Sequence, residues 1–435
     1  MCSERLPDAC LLKRVFYTTL LILAAPAIIV YLFWRSVRQP AYREHWGERW
    51  GVMFPAVPAG PLIWVHAVSV GETRAAEPLL AALRERWPEA QLLVTHMTPT
   101  GRDTALALPQ VTRCYLPYDY PWAMTRFLKH YRPSVGILVE TEVWPNMVAS
   151  ANRLQVPLAL VNARLSQRSL DKAGRYRELV RAALRGLELI VAQTTQDAQR
   201  LHDLSGRSVA VAGNLKFDMS PRPASLELGR LWRKRIGARP VLLAASTREG
   251  EESLILEALQ ATPILPAGAL LVLVPRHPQR FDEVAQLIER QGLPMQRRSS
   301  LGDAPIAAST RVLLGDSLGE MQAWYTLADV AFIGGSLLPL GGQNLIEACL
   351  CGCPVLLGPH TFNFVQASED ALNAGAALRL RDAADLLVQA ADLLTDVSRR
   401  AAMADAGLQF AGSHSGATAR TLAALEAVVK LPEPI

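Results

Sequence analysis

What the sequence lacks narrows its chemistry before any motif is read. No run of five or more basic residues occurs, and aromatic residues make up 6% of the 435 positions. With a formal net charge of +5, a nucleic-acid-binding face has little composition to rest on. The modest positive balance fits an anionic partner, such as a nucleotide or a phospholipid surface. Cysteine is scarce: Cys2, Cys10, Cys114, Cys349, Cys351 and Cys353, with no C-x-x-C pair. A chain long enough to build two cores needs no disulfide staples. The alternating Cys349, Cys351 and Cys353 read as small core residues leading into Val355-Leu356-Leu357, not as metal ligands. The thiols suit a reducing cytosol. Neither a G-x-G-x-x-G after the first strand nor a P-loop is present, which argues against a dinucleotide dehydrogenase or an ATPase. No D-x-D stands at a strand end, so metal-assisted loss of a diphosphate has no ligand set. Neither a metal nor a cofactor is expected.

Charge is also missing from Val15 to Trp34, VFYTTLLILAAPAIIVYLFW. At ~1.5 Å per residue, a helix of this length covers ~30 Å, the thickness of a hydrocarbon core. Tyr31 and Trp34 sit where an interfacial aromatic belt would. The stretch ends in bulky residues with no small-residue cleavage site, unlike a signal peptide. Arg35, Arg38, Arg43 and Arg49 follow it, whereas Arg5, Lys13 and Arg14 are mixed with Glu4 and Asp8 ahead of it. The positive-inside rule then keeps the body in the cytoplasm behind a single-pass anchor. A helix merely bound to a surface, or a buried one, is the alternative, and either way the body works beside a bilayer.

After this basic flank, short apolar runs alternate with helical patterns, which predicts α/β architecture with parallel sheets covered by helices. The expected strands are 61–68, 91–97, 112–118, 134–140, 157–163, 187–193 and 208–213, then 240–246, 269–275, 311–315, 330–334 and 354–358. Ala75, Leu79, Leu80 and Leu83 make one face of a helix over Arg74–Trp87, and Phe281, Val284, Leu287 and Ile288 another after Pro278. The polar, proline-containing stretch 217–229 interrupts the alternation and marks a boundary. Three segments result: an anchor with its basic flank over 1–40, a first doubly wound domain over 41–220 and a second over 221–435. The leading architecture has the two facing a cleft. In such sheets ligands sit at the carboxyl ends of strands.

Chemistry is therefore sought in the loops after each strand. Ser69-Val70-Gly71-Glu72 follows the first strand and opens a helix, placing a carboxylate fit for a general base or, equally, for capping the helix. Glu140-Thr141-Glu142-Val143-Trp144-Pro145-Asn146 runs from a strand into two acids and a Pro-started helix. They can share a proton, hold an acceptor hydroxyl or simply line a solvated turn. Gly213-Asn214-Leu215-Lys216-Phe217-Asp218 offers a lysine to neutralise a leaving phosphate, or a solvent-exposed hinge residue. In the second half come Ser246–Glu252, Val274-Pro275-Arg276-His277-Pro278, Gly315–Glu320, Gly334-Gly335-Ser336 and Gly341–Glu347. Glycines ahead of helix starts let phosphate oxygens meet unpaired N–H groups, and several such loops in one half favour a nucleotide-phosphate site. Glu347 is poised for ribose hydroxyls or to cap with Asn344.

In order, the strings HAVSVGE, THMTPTG, YLPYD, ETEVWPN, NARLS, GNLKFD, EGEES, VPRHP, GGSL, GGQN and GPHTFNF closely resemble the Kdo (3-deoxy-D-manno-octulosonic acid) transferases of lipopolysaccharide assembly. The match runs from about Trp46 to beyond Phe364, and the apolar segment ahead of it looks like the family's anchor. The resemblance implies a GT-B fold of two Rossmann-like domains, the first for the acceptor and the second for CMP-Kdo. It also implies an inverting, metal-independent transfer from CMP-Kdo to a lipid A precursor, lipid IVA, at the cytoplasmic face of the inner membrane. By the same resemblance Glu72 is the proton acceptor, and Glu140 and Lys216 stabilise the transition state. Pro275, Arg276, Leu318, Gly319, Glu320, Asn344, Leu345, Ile346 and Glu347 hold the nucleotide. The family usually reads N-P-L-E where this chain has Asn344-Leu345-Ile346-Glu347, and Arg248 stands where many relatives have His. The alternatives are a two-domain transferase using a UDP-sugar and a catalytically silent, membrane-tethered binder of lipid A precursor.

Overall fold

The computed structural model describes residues 8–108, 110–167, 170–171, 176–261, 264–302 and 304–431. Cys2, Glu4 and Arg5 lie outside these. So do the first seven residues of the expected anchor segment and the last four of the expected second domain.

The chain forms two compact units, Met1–Met219 with Ser415–Ile435, and Ser220–His414. The break at 219/220 falls within the proline-containing stretch. The C-terminal segment, expected with the second domain, belongs instead to the first unit. The reason is apolar burial: Ala417, Leu425, Val428 and Val429 pack into the core that holds Ala76, Leu79 and Leu83. Asp218 fixes the return. Its carboxylate accepts the Gly416 N–H at 2.6 Å and also the Thr418 N–H, so the last residue of the G-N-L-K-F-D string clamps the start of the Ala417–Leu425 helix.

The first unit contains a seven-stranded sheet in the order β3-β2-β1-β4-β5-β6-β7. These are Leu62–His66 (β1), Gln91–His96 (β2), Val111–Tyr115 (β3), Val135–Val139 (β4), Leu158–Ala163 (β5), Leu189–Ala192 (β6) and Ala210–Val211 (β7). Every neighbouring pair is parallel. All residues of β1, β4 and β5 are buried, which is why these strands read as unbroken apolar runs. The helix expected over Arg74–Trp87 starts at Val70, because Ser69 serves as its N-cap, and it runs to Arg86. Ala75, Leu79, Leu80 and Leu83 are its buried face, as their spacing predicts.

The second unit has its own parallel seven-stranded sheet, ordered β10-β11-β9-β8-β12-β13-β14. Its strands are Val241–Thr247 (β8), Leu270–Pro275 (β9), Met295–Arg297 (β10), Val312–Leu314 (β11), Val330–Ile333 (β12), Val355–Leu357 (β13) and Ala377–Arg379 (β14). The sequence pattern misses β10 and β14. Both are three-residue edge strands, and β10 is only half-buried, so neither carries an apolar run.

An apolar helix, Asp8–Arg38, precedes the first sheet. Its Leu11–Val37 portion is long and apolar enough to cross a membrane. The helix also lies along the first unit. Tyr17 donates to Asp119 at 3.1 Å, Tyr120 donates to the Leu21 carbonyl at 2.9 Å, and Thr18 bonds Asn146. Near the other end Leu32 and Ser36 are buried, and Arg35 reaches the Tyr42 hydroxyl at 3.0 Å. The opposite side shows Leu12, Phe16, Leu23, Val30 and Phe33 to the outside.

Candidate active site

In the first sheet the chain winds outward from β1 through β2 to β3, then crosses to β4 on the other side. The loops after β1 and β4 therefore diverge, and the carboxyl ends of those two strands are the natural ligand position. Glu72 stands there, in the first turn of the Val70–Arg86 helix. Its carboxylate accepts the Val68 N–H at 2.8 Å and the Ser69 hydroxyl at 2.9 Å. The capping role open to it from sequence is thus real. Burial nonetheless pushes its pKa up to about 7, with the Glu140 carboxylate adding to the rise and the two hydrogen bonds opposing it. A carboxyl that exchanges its proton near neutral pH is suited to general-base work. A Cβ at Gly71 would meet only Ser69 Oγ, at 3.9 Å, so the fold itself does not demand glycine there.

Glu140 leaves β4 with φ at +68°, a left-handed conformation that side-chain-bearing residues seldom adopt and that costs of order 1–3 kcal/mol. Its N–H stays tied to the Val161 carbonyl at 3.0 Å. The twist sends its carboxylate to Lys216 Nζ at 2.7 Å, with the two side chains 20% and 15% exposed. Lys216 rides on the short turn Leu215–Asp218. Asn162 Oδ1 holds that turn by accepting the Leu215 N–H at 3.1 Å, and Asn162 is itself left-handed, at +52°. Glu142 has a different partner, the Trp144 indole N–H at 2.9 Å, and burial raises its pKa. The structure therefore brings Glu72, Glu140 and Lys216 together and engages the two acids of the E-T-E string separately.

Asp119, from the YLPYD string, was given no role on sequence. It accepts the Met147 N–H at 2.7 Å and the Asn146 N–H at 3.0 Å, securing the first turn of the Pro145–Arg153 helix that follows the two acids. Burial pushes its carboxyl up to about 7, against those hydrogen bonds. An acid just past a strand and before a Pro-started helix was the signal for it.

The second unit repeats the logic at the carboxyl ends of β8 and β12. Glu251 is fully buried there and holds both loops. Its carboxylate accepts the Arg248 N–H at 2.8 Å, the Gly335 N–H at 2.6 Å and the Leu337 N–H at 2.9 Å. A Cβ on Gly334 would meet the Ser246 carbonyl oxygen at 2.5 Å, so this crossing of the two loops requires glycine. Glu251 lies in the EGEES string, where no local pattern marks this role. Glu251→Ala leaves three N–H groups unpaired, two of them buried. A loss of about 3–5 kcal/mol is expected in chemical unfolding, with Glu251→Gln milder because one acceptor oxygen remains.

The nucleotide residues expected from sequence divide here. Arg276 is exposed just after β9, and its N–H is fixed on the Thr247 carbonyl at 2.9 Å; Pro275 is buried. Leu318 and Gly319 are exposed at the tip of a turn after β11. The Glu320 carboxylate is engaged by Arg298 at 2.9 Å and by the Ser317 hydroxyl. Asn344 Oδ1 accepts the Ile346 N–H at 3.1 Å, while Leu345, where the family usually has proline, stands at the N-cap without a side-chain cap. Leu345 and Ile346 are completely buried, backbone as well as side chain, and belong to the core. Glu347 is 8% exposed in the first turn of the Ile346–Leu350 helix.

Residues 44–219 match the family model described as 3-deoxy-D-manno-octulosonic-acid transferase (kdotransferase). A 3-deoxy-D-manno-octulosonic acid transferase of Bordetella pertussis is 46% identical over 95% of this chain and 99% of its own length. The chain belongs to the Kdo transferase family. A Haemophilus influenzae transferase of the same name is 35% identical over 94% of this chain and 97% of its own. This Kdo transferase is thus a glycosyltransferase. Its α/β fold resembles that of Anabaena HepE, solved with UDP and glucose, at a TM-score of 0.57, 15% identity and coverage of 85% of this chain and 99% of that one. A likeness that distant speaks for the fold alone. Among the described residues of this transferase, no group of three His, Cys, Asp or Glu side chains could hold a metal ion.

Proposed function

We propose that this transferase moves Kdo from CMP-Kdo onto the lipid A precursor lipid IVA, with inversion and without a metal ion. The observation that carries the reading is the strand-end group in the first unit: a carboxyl poised at about 7, beside a Glu140–Lys216 ion pair. Glu72 takes the proton of the acceptor hydroxyl as its oxygen bonds to the anomeric carbon of Kdo. The bond to the phosphate oxygen breaks, and CMP departs with the electron pair. In the first unit Lys216 balances the charge that develops; in the second, Arg276 and the helix start at Asn344 are the groups offered to the nucleotide. Cytidylate leaves with less charge than a diphosphate, which lowers the demand for a cation. Mass spectrometry of the product from purified enzyme, a CMP-Kdo source and tetra-acylated acceptor should show added Kdo, unchanged by a chelator. Protection from heat unfolding by UDP but not CMP would instead point to a UDP-sugar donor. Binding of acceptor without any product would leave a silent lipid A precursor binder.

We place the body at the cytoplasmic face of the inner membrane. The contacts that tie Tyr17, Thr18 and Leu21 to the first unit favour a helix lying in the membrane interface on its exposed apolar side. The length of Leu11–Val37 is the observation that favours a single pass, in which those contacts would have to break. A reporter fused ahead of Met1 is expected to read cytoplasmic. A periplasmic signal would establish the pass.

A further inference from the structure

A cavity of about 350 Å³ lies within the first unit, between the N-terminal helix and the Pro145–Arg153 helix. Arg14 comes from one wall and Arg153 from the other, with Thr18, Asn146 and Ser150 between them. Thr18 and Asn146 are engaged with each other and with the Arg14 and Asp119 carbonyls, so the two guanidiniums are the donors that phosphate oxygens select, because each N–H fork matches the spacing of those oxygens. Arg153 is held by a hydrogen bond from Nη2 to Thr125 Oγ1 at 2.5 Å. Asp119 is close enough to feel the charge of Arg14; the remaining cationic character comes from Arg153 on the facing helix.

The surroundings of the cavity name the bearer of that phosphate. Val15 lines the cavity and is also 54% exposed. Leu11, Ile22 and Ile29 continue from it at helical spacing as exposed apolar residues. A ligand seated between the arginines therefore has an apolar track leading away from it, as a headgroup with acyl chains requires and a free anion does not. We propose that this cavity binds the phosphodiester headgroup of an anionic bilayer phospholipid, its acyl chains lying along the exposed side of the N-terminal helix. The inference rests on the membrane-facing reading of that helix and is independent of the transfer reaction. A lipid held there would keep the helix seated beside the loop that carries Glu140 and Glu142.

The test is native mass spectrometry of the full-length protein released from detergent with phosphatidylglycerol or phosphatidylcholine. Retention of one phosphatidylglycerol per chain, with phosphatidylcholine lost, is expected. At about a fivefold effect for each basic group facing a membrane surface, Arg14→Gln with Arg153→Gln is expected to weaken retention roughly thirty-fold. The heat-unfolding midpoint of the lipid-free double variant, together with its rise on adding CMP, checks that the fold is kept. Equal retention by the double variant, or of both lipids, overturns the assignment. So does displacement of the lipid by inorganic phosphate, which marks a free-anion site, or by lipid A precursor, which marks an acceptor site. Vesicle flotation reads the membrane assignment separately: a wild-type chain that floats on no vesicle sinks that reading, whereas one that floats but shows no headgroup selectivity sinks only this proposal.

Discussion

Glu72→Gln is expected to lower Kdo transfer by about two to four orders of magnitude, the usual worth of a positioned general base, while CMP binding persists. Glutamine keeps one acceptor oxygen for the Val68 N–H, so the helix start survives and the loss reports chemistry. In the wild type the base works only when ionised. Turnover should therefore rise with pH through a midpoint of about 7 and level off above it. Glu140→Gln removes a carboxylate that pushes Glu72 upward, so its rising limb should move to lower pH. Stability carries the opposite sign. The folded pKa lies above the ordinary 4.5, so the favourable contribution is complete below that value and is lost as pH rises through about 7. Unfolding midpoints of wild type and Glu72→Gln, measured across that window, should converge or cross as pH increases. Undiminished transfer by Glu72→Gln would remove it from the chemistry.

Lys216→Ala is expected to cost about a hundred- to a thousand-fold in turnover, the range for losing one preorganised charge-stabilising group. It also leaves Glu140 in a left-handed, largely buried position without its cation. That should cost about 1–3 kcal/mol in chemical unfolding and move the Glu72 limb to higher pH. Adding Glu140→Ala to Lys216→Ala relieves the stranded charge. The double variant should regain stability but not activity. If activity returned with stability, Lys216 would be a structural partner of Glu140 and nothing more.

The strings around Glu72, Glu140 and Lys216 were legible because each stands directly beyond an apolar run, and strand ends are where parallel sheets place ligands. The clamps were not. Asp119, Asn162 and Glu251 act by accepting backbone N–H groups from segments 28, 53 and up to 86 residues away, and no local pattern records such a partner. The edge strands β10 and β14 escaped for a related reason, since a strand of three residues carries no periodic signal. Leu345 and Ile346 show the converse. Their string places them at a nucleotide loop, yet complete burial gives their side chains to the core.

The amino-acid order alone determined the alternation of strand and helix, the loops that bear the acids and the apolar N-terminal helix, because each depends on neighbours a few residues apart. Only the tertiary structure decided that the segment from Ser415 returns to the first unit, that Glu140 answers to Lys216 while Glu142 answers to Trp144, and that burial lifts the Glu72 pKa to about 7. Those outcomes depend on desolvation and on contacts between distant segments, quantities that come into being when the chain packs.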